Sequence, residues 1–386
     1  LRNFSSVSLR SYSRCYSTAV LSSKNLVVTK TANPKTKPPN EELVFGASMS
    51  DHMLEADWTA KSGWKDPVIK AYENFSMPPS ALCLHYGLQC FEGMKAYKDA
   101  KGKVRLFRPI DNMHRMNGSS QRLSLPGFDP EVAVELLKEY VKVEQDWIPS
   151  QRGYSLYLRP TMIATQGALG VQASNAAKWY VISCPVGPYY KSGFKPVKLL
   201  ADDKNVRAWP GGVGQYKVGG NYAPGIVPQK LAGEKGYAQI LWLFGPDQVL
   251  TEVGTMNMFV YWKNRQGETE LVTAPLDGTI LPGVTRSSVI DLAHDWGIKV
   301  NQRALPMAEL LDGLKEKRVL ECFGAGTACV IAPINGVNYK GIDYDIPLDV
   351  NEPEAPAGPL ANKLSNHILA IQYGEIEHPW SVVVDQ

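Results

Sequence analysis

The chain has 386 residues, 44% hydrophobic and 20% charged, the balance of a globular protein long enough for two or three domains. It contains no run of about 18 apolar residues, so no transmembrane helix is expected. Its net charge of +3 is uneven: Arg2, Arg10, Arg14, Lys24, Lys30, Lys35 and Lys37 precede the first acid, and removing those seven from the 41 leaves 34 basic against 38 acidic residues. The body is thus mildly acidic, which argues against nucleic acid as a partner.

In chain order, residues 1–16 are rich in serine and arginine and lack acids, the composition of an organellar transit peptide. Arg14-Cys15-Tyr16-Ser17 resembles a mitochondrial processing site, so import to the matrix is expected; a disordered cytosolic tail shares the composition. Residues 17–41 read as a Pro/Lys/Thr linker, with order from about Glu42. Residues 42–186 are taken as a small N-terminal domain, 187–200 as an interdomain loop and 201–386 as a larger C-terminal domain. From Ala81 to Arg108 the pattern predicts strands, with Asp99–Gly102 as a hairpin tip. Pro130 opens a helix to about Gln145, with Val132, Leu136 and Tyr140 on one stripe.

Tyr154–Arg159 alternates, placing Ser155, Tyr157 and Arg159 on one face. That face reads either as a solvated exterior or as a pocket wall. Lys178–Cys184, Ala238–Phe244 and Met258–Trp262 read as strands. Pro282-Gly283 opens a helix to about Trp296, whose first N–H groups suit an anion. A closing amphipathic helix runs from Leu360 to Tyr373. Six cysteines (Cys15, Cys83, Cys90, Cys184, Cys322 and Cys329) show neither disulfide nor zinc spacing, and no metal site is expected.

Lys217, within Gly211-Gly212-Val213-Gly214-Gln215-Tyr216-Lys217-Val218-Gly219-Gly220-Asn221-Tyr222, is the most informative residue. Glycines let backbone approach a ligand closely. The flanking Tyr216 and Val218 do not fit a phosphate loop, and Cys329 spoils Gly324-Ala325-Gly326-Thr327-Ala328-Cys329 as a dinucleotide fingerprint. A lysine with a distant carboxylate, Glu252 in Thr251-Glu252-Val253-Gly254-Thr255-Met256-Asn257, suits pyridoxal phosphate, which needs an amine for a Schiff base and an acid at its ring nitrogen. A flexible surface loop and a solvated carboxylate are the plainer readings of the two segments.

Over residues 42–384 the chain resembles the branched-chain amino acid aminotransferases, fold-type IV pyridoxal phosphate enzymes, and particularly their mitochondrial eukaryotic members. The resemblance is carried by Leu84-His85-Tyr86-Gly87-Leu88-Gln89, Phe91-Glu92-Gly93-Met94-Lys95, Ser155-Leu156-Tyr157-Leu158-Arg159-Pro160, Leu281-Pro282-Gly283-Val284-Thr285-Arg286 and Phe323-Gly324-Ala325-Gly326-Thr327-Ala328, together with the Lys217 and Glu252 segments. It implies a mixed α/β (α+β) two-domain fold, with a small α/β domain followed by a larger one built on a barrel-like mixed sheet.

The resemblance also implies roles. Lys217 holds the cofactor and carries the proton. Glu252 pairs with the ring nitrogen, Tyr222 bonds the phenolate oxygen, and Arg115 binds the phosphate. Thr255, Val284, Thr285 and Thr327 complete the cofactor contacts, with Arg207 matching a further motif arginine of undefined role. Tyr86, Phe91, Tyr157 and Arg159 fall on the substrate wall, and the Thr327-Ala328 turn offers N–H groups to the substrate carboxylate. Leu169 and Val171 match residues that enter the pocket from the other subunit, implying a homodimer with shared sites. The implied reaction is ping-pong amino transfer between leucine, isoleucine or valine and 2-oxoglutarate. D-amino acid aminotransferases and aminodeoxychorismate lyases share the fold, and a non-catalytic relative would be expected to lack Lys217 or Glu252. In one departure, Cys329-Val330-Ile331-Ala332 keeps only the first cysteine of a Cys-x-x-Cys pair, so a disulfide switch is not carried over.

Overall fold

The computed structural model describes residues 19–188, 194–349, 352 and 355–384. The leader at 1–16 lies outside the described residues. Two large sheets organise them.

In the first sheet the strands run in the order Val27–Val28, Val68–Ala71, His52–Thr59, Ala176–Val186, Ser155–Ala164, Met94–Lys98, Val104–Phe107, Ser381–Val383. Gln89–Phe91 pairs with a further stretch of Ser155–Ala164, and Gly63–Trp64 with His52–Thr59. Pairing is antiparallel except at Val27–Val28. The helices Pro109–Arg122 and Pro130–Val143 pack on one face of this sheet and close its core around Met113, Met116, Leu137 and Tyr140.

The helix at Pro130 forms for local reasons. Asp129 Oδ1 accepts from Glu131 N at 3.0 Å, satisfying one of the free N–H groups of the first turn. Pro130 starts the helix without losing a bond. Helix Pro109–Arg122 also opens on a proline but has no side-chain cap. Its buried face carries Asn112, Ser119 and Ser120 beside two methionines, so no apolar period announces it.

In the second sheet, Val249–Val253, Gln239–Phe244, Val197–Asp202, Val330–Tyr339, Val319–Gly326 and Met256–Lys263 form a closed ring, because Val249–Val253 also pairs with Met256–Lys263. The ring mixes parallel and antiparallel pairs and encloses Leu199, Leu241, Met258, Val260 and Ile334. This is the expected barrel-like core of a mixed α/β fold. Thr269–Thr273 and Lys299–Gln302 extend it. A third apolar cluster joins the halves: Tyr97 and Phe107 of the first sheet pack with Phe259 and Phe323 of the second and with helices Val284–Asp295 and Pro359–Gln372.

Several expectations are corrected. Order begins well before Glu42: Leu21 is buried, Ala19 bridges Gly63, and Val27–Val28 adds a parallel strand. Short apolar residues in a polar stretch carry no period, but they fit an otherwise open sheet edge. A helix, Leu82–Tyr86, interrupts the region read as strands and stops at Gly87, where φ is 60°. Val197–Asp202, which begins inside the 187–200 stretch read as interdomain loop, already belongs to the second sheet. At the other end, Ser381–Val383 returns to the first sheet beside Val104–Phe107. The face of Ser155, Tyr157 and Arg159 is no solvated exterior: Ser155 and Tyr157 are buried, and Tyr157 packs with Phe45, Met49, Cys184 and Val186.

Candidate active site

Between the two sheets lies a cavity of about 570 Å³, walled by residues from both. Lys217 enters it from the connection between Val197–Asp202 and Gln239–Phe244 of the second sheet, which reaches across to bridge Cys90 of the first at Val218. That segment is pinned on both sides: Lys217 N donates to Ser119 Oγ at 2.8 Å, and the Lys217 carbonyl accepts from Phe91 N at 3.0 Å. The ammonium donates to Tyr222 Oη at 3.1 Å and lies 4.7 Å from the centre of the Phe91 ring. It has no carboxylate partner within salt-bridge distance among the described residues.

The glycines around Lys217 make room mainly for the protein itself. A Cβ on Gly214 would strike Ala208 and the Gly278 carbonyl, and one on Gly219 would strike the Gln89 amide. Close approach is required there, but by neighbouring chain more than by a ligand.

Glu252 lies on the strand Val249–Val253 and is 2% exposed. Its Oε1 accepts from Leu281 N at 2.7 Å and its Oε2 from Arg207 Nε at 2.8 Å. Burial pushes the carboxyl above its ordinary range, against the pull of Arg207, the Leu281 N–H, Lys217 and Arg115. Arg207, given no role from the sequence, is therefore the counter-ion of Glu252. It is fixed in turn by Nη1 donating to the Thr279 carbonyl at 3.0 Å.

Arg115 projects from helix Pro109–Arg122 and is held by a residue that sequence reasoning left without a role. Glu92, fully buried, accepts from its Nε at 2.7 Å and its Nη2 at 2.8 Å in a two-pronged pair. Burial works against the guanidinium charge, but Glu92 outweighs it and raises the pKa above the ordinary value. Arg115 Nη1 donates to the Pro282 carbonyl at 3.1 Å, which leaves this nitrogen one hydrogen for a ligand. Glu92 stands inside Phe91-Glu92-Gly93, and the signal that marks it, a carboxylate with no solvent, exists only in the fold.

Pro282 leads into the helix Val284–Asp295, whose N-cap Gly283 supplies no side-chain cap. The Val284 and Thr285 N–H groups thus face the cavity at the positive end of the helix dipole. Thr255 and Thr327 also line it.

On the opposite wall are Phe91, Tyr157 and Arg159. Arg159 Nη2 donates to Tyr157 Oη at 3.1 Å, while the guanidinium sits 4.6 Å from the Phe91 ring centre. Its Nε is buried without a partner, an orphan donor awaiting an acceptor. Phe45, Thr161, Tyr180 and Ile182 complete this wall unannounced by any motif. Thr327 and Ala328 form the hairpin between the paired Gly326 and Val330, and no bond from either N–H is made among the described residues.

Tyr86 is absent from the wall of its own chain's cavity. It is 40% exposed, and its hydroxyl donates to the Leu169 carbonyl. Leu169 and Val171 are 72% and 79% exposed on the same edge. The structure thus groups Tyr86 with the two residues expected to serve another subunit.

The cavity offers an amine, an arginine and an uncapped helix start, with the Glu252 carboxylate behind its Leu281 wall, which fits one flat cationic ring bearing an anionic tail. The amino-transferase class IV family model matches residues 89–337, which span every one of these groups. A relative from Dictyostelium discoideum, a branched-chain-amino-acid aminotransferase, is 54% identical over 96% of this chain and 98% of its own. A mitochondrial branched-chain-amino-acid aminotransferase from Schizosaccharomyces pombe is 49% identical over 94% of this chain and 85% of its own. The crystal structure of a branched-chain amino acid aminotransferase from Thermobaculum terrenum, in its PLP-form, superposes with a TM-score of 0.66 at 20% identity, covering 87% of this chain and 99% of that one; this likeness bears on the fold. The chain belongs to the branched-chain-amino-acid aminotransferase family.

Proposed function

We propose that the protein moves an amino group between L-leucine, L-isoleucine or L-valine and 2-oxoglutarate, with pyridoxal 5′-phosphate as cofactor. The observation that carries this reading is a Lys217 amine in the cavity, with no carboxylate partner among the described residues, and a buried, arginine-backed Glu252 behind the Leu281 wall, near enough to feel the lysine's charge. Lys217 would hold the cofactor, Glu252 its ring nitrogen, and Tyr222 its phenolate oxygen. Arg115, the Val284 and Thr285 N–H groups and the threonines Thr255 and Thr327 would hold its phosphate and ring. When bound, the cofactor supplies a sink for the electrons left at the amino acid's Cα as its C–H bond breaks.

This chain's residues do the rest. Lys217, once its amine is released into the desolvated cavity, takes the proton from Cα, with Tyr222 beside it to steady the amine. The aromatic wall of Phe91, Tyr157, Tyr180 and Phe45 excludes water and accepts a branched apolar side chain. Arg159 receives the distal carboxylate when 2-oxoglutarate or glutamate replaces it, and the Thr327 and Ala328 N–H groups receive the carboxylate common to all substrates. One cavity thus serves both half-reactions in a ping-pong cycle.

The molecule acts as a homodimer in this reading. Leu169 and Val171 are exposed on one edge with Tyr86, whose hydroxyl donates to the Leu169 carbonyl, and this grouping supports an interface that carries all three toward the partner's cavity. The basic, acid-free start of the chain favours the mitochondrial matrix; relatives are named both mitochondrial and cytosolic. Fractionation of cells making the full chain tests the location.

Steady-state rates with a panel of L-amino acids against 2-oxoglutarate test the activity. Leucine, isoleucine and valine should dominate, and the visible absorption of the holoenzyme should vanish in Lys217→Ala. Turnover of D-alanine in preference to L-leucine would overturn the assignment.

A further inference from the structure

Lys95 carries no role in the reaction so far. It lies on the strand Met94–Lys98, directly opposite Tyr157 in the antiparallel ladder, and is 8% exposed. Residues opposite each other across a ladder share a face, so Lys95 points like Tyr157 toward the second sheet. Its ammonium crosses to that sheet and donates to the Ala328 carbonyl at 2.7 Å. No carboxylate lies within salt-bridge distance of it among the described residues, whereas Arg115 and Arg207 have Glu92 and Glu252 and Lys217 has the Tyr222 hydroxyl.

Two further observations concern the turn it holds. Thr327, Ala328 and Cys329 make a three-residue hairpin closed by Gly326 and Val330. Val330 has φ of 61°, a conformation that a β-branched side chain resists. A hairpin under such strain relaxes unless something outside it fixes its position. Beyond the turn lies a second cavity of about 320 Å³, bordered by Lys95, Ala328, Cys329 and Gln372 among others, so on the Ala328 side the turn is a thin partition, while Cys329 packs on Met256. Lys95 is the strut across that gap.

We infer that Lys95 is a positioning residue for the substrate carboxylate: its ammonium anchors the Ala328 carbonyl so that the Thr327 and Ala328 N–H groups stay aimed into the active-site cavity. The inference rests on the reading of those N–H groups as the carboxylate site. It also accounts for the missing counter-ion. A buried ammonium without an anion is costly, and an anion arriving on the far side of the turn supplies the compensating charge. The pairing is therefore realised with substrate bound and absent without it. Burial brings the Lys95 pKa down to about 8, so the side chain remains mostly charged at neutral pH.

The test uses holoenzyme and two unreactive competitors of the same shape, 4-methylpentanoate and 4-methylpentan-1-ol, whose comparison isolates the carboxylate. In the wild type the acid should bind more tightly than the alcohol. Lys95→Met should weaken the acid about tenfold or more and raise KM for both L-leucine and 2-oxoglutarate in step, as loss of a hydrogen bond from a charged group does. It should leave the alcohol's inhibition constant and kcat within about threefold. Lys95→Arg, which keeps charge and donor, should retain most of the discrimination, and it separates the claim from any folding defect in Lys95→Met. If the wild type discriminates and Lys95→Met does so equally, the inference is overturned while the carboxylate site stands. If the wild type itself does not prefer the acid, or only Arg159→Met abolishes the preference, the reading of the turn fails and takes the inference with it.

Discussion

Arg207 and Glu252 form a buried ion pair, Nε to Oε2 at 2.8 Å, that joins the segment before Lys217 to the closed ring of strands. The pair opposes burial, which pushes the Glu252 carboxyl above its ordinary range. Breaking a buried pair by removing one partner typically costs about 3–5 kcal/mol, because the survivor is an uncompensated charge.

Arg207→Met should accordingly lower kcat by about two orders of magnitude at neutral pH, the scale of losing one ion-pair partner. Burial already raises the Glu252 pKa, and removing Arg207 takes away the strongest opposing pull, so the pKa rises further. The carboxylate then forms only at higher pH. Activity of the variant should climb with pH across a range where the wild type is flatter, and a parallel pair of pH–rate profiles would refute the role.

Glu92→Gln addresses the other arginine. The two-pronged bond from Glu92 holds Arg115 square to the cavity, and glutamine keeps the shape while losing the charge and one acceptor. Cofactor affinity, titrated by absorbance on the stripped enzyme, should fall about tenfold, equivalent to roughly 1.4 kcal/mol. Turnover at saturating cofactor should change little. Unaltered affinity would place the phosphate away from Arg115.

Gly93→Ala probes the wall. A Cβ there overlaps the Tyr157 hydroxyl, so the ring must swing into the cavity. KM for L-leucine should rise about tenfold, the worth of one displaced contact of about 1–2 kcal/mol, with cofactor binding unchanged. An unaffected KM would mean that Tyr157 moves outward instead.

Lys95 has a consequence for stability as well. Its folded pKa of about 8 lies below the ordinary value of 10.5, so between those limits the unfolded chain binds the extra proton and the native state does not. Stability from this group therefore grows as pH rises from 8 toward 10.5 and is lost as pH falls back through 8, by about 3 kcal/mol in all. Urea midpoints of wild type and Lys95→Met at about pH 7.5 and about pH 10, either side of that window, should show the difference between the proteins shifting toward the wild type at the higher pH. A constant difference would show that Lys95 titrates normally.

Glu321→Gln tests the closing helix. The carboxylate caps it from a distant strand, Oε1 accepting from Leu360 N at 2.8 Å and Oε2 from Ala361 N at 2.9 Å. A side chain on Gly358 would collide with it. Glutamine offers one acceptor in place of two, and about 1–3 kcal/mol of unfolding free energy should be lost without change in kcat. A larger fall in kcat than in stability would point to a link with the site that the contacts do not contain.

Sequence by itself determined the family, the strands of alternating or apolar pattern and the helices opened by Pro130 and Gly283, and it singled out Lys217, Glu252, Tyr222 and Arg115 as candidates. These are local signals: a period of two or 3.6, a cap, or a run of residue types that one cofactor's chemistry demands. Tertiary structure alone decided that Arg207 answers Glu252, that Glu92 holds Arg115, and that Tyr86 sits with Leu169 rather than in its own cavity. It alone revealed Lys95 spanning 233 positions to Ala328, and the return of Ser381–Val383 to the first sheet. Each of these is a pairing between residues far apart in the chain. Its energy comes from being buried together, and burial is a property of the packed molecule that no stretch of residues carries alone.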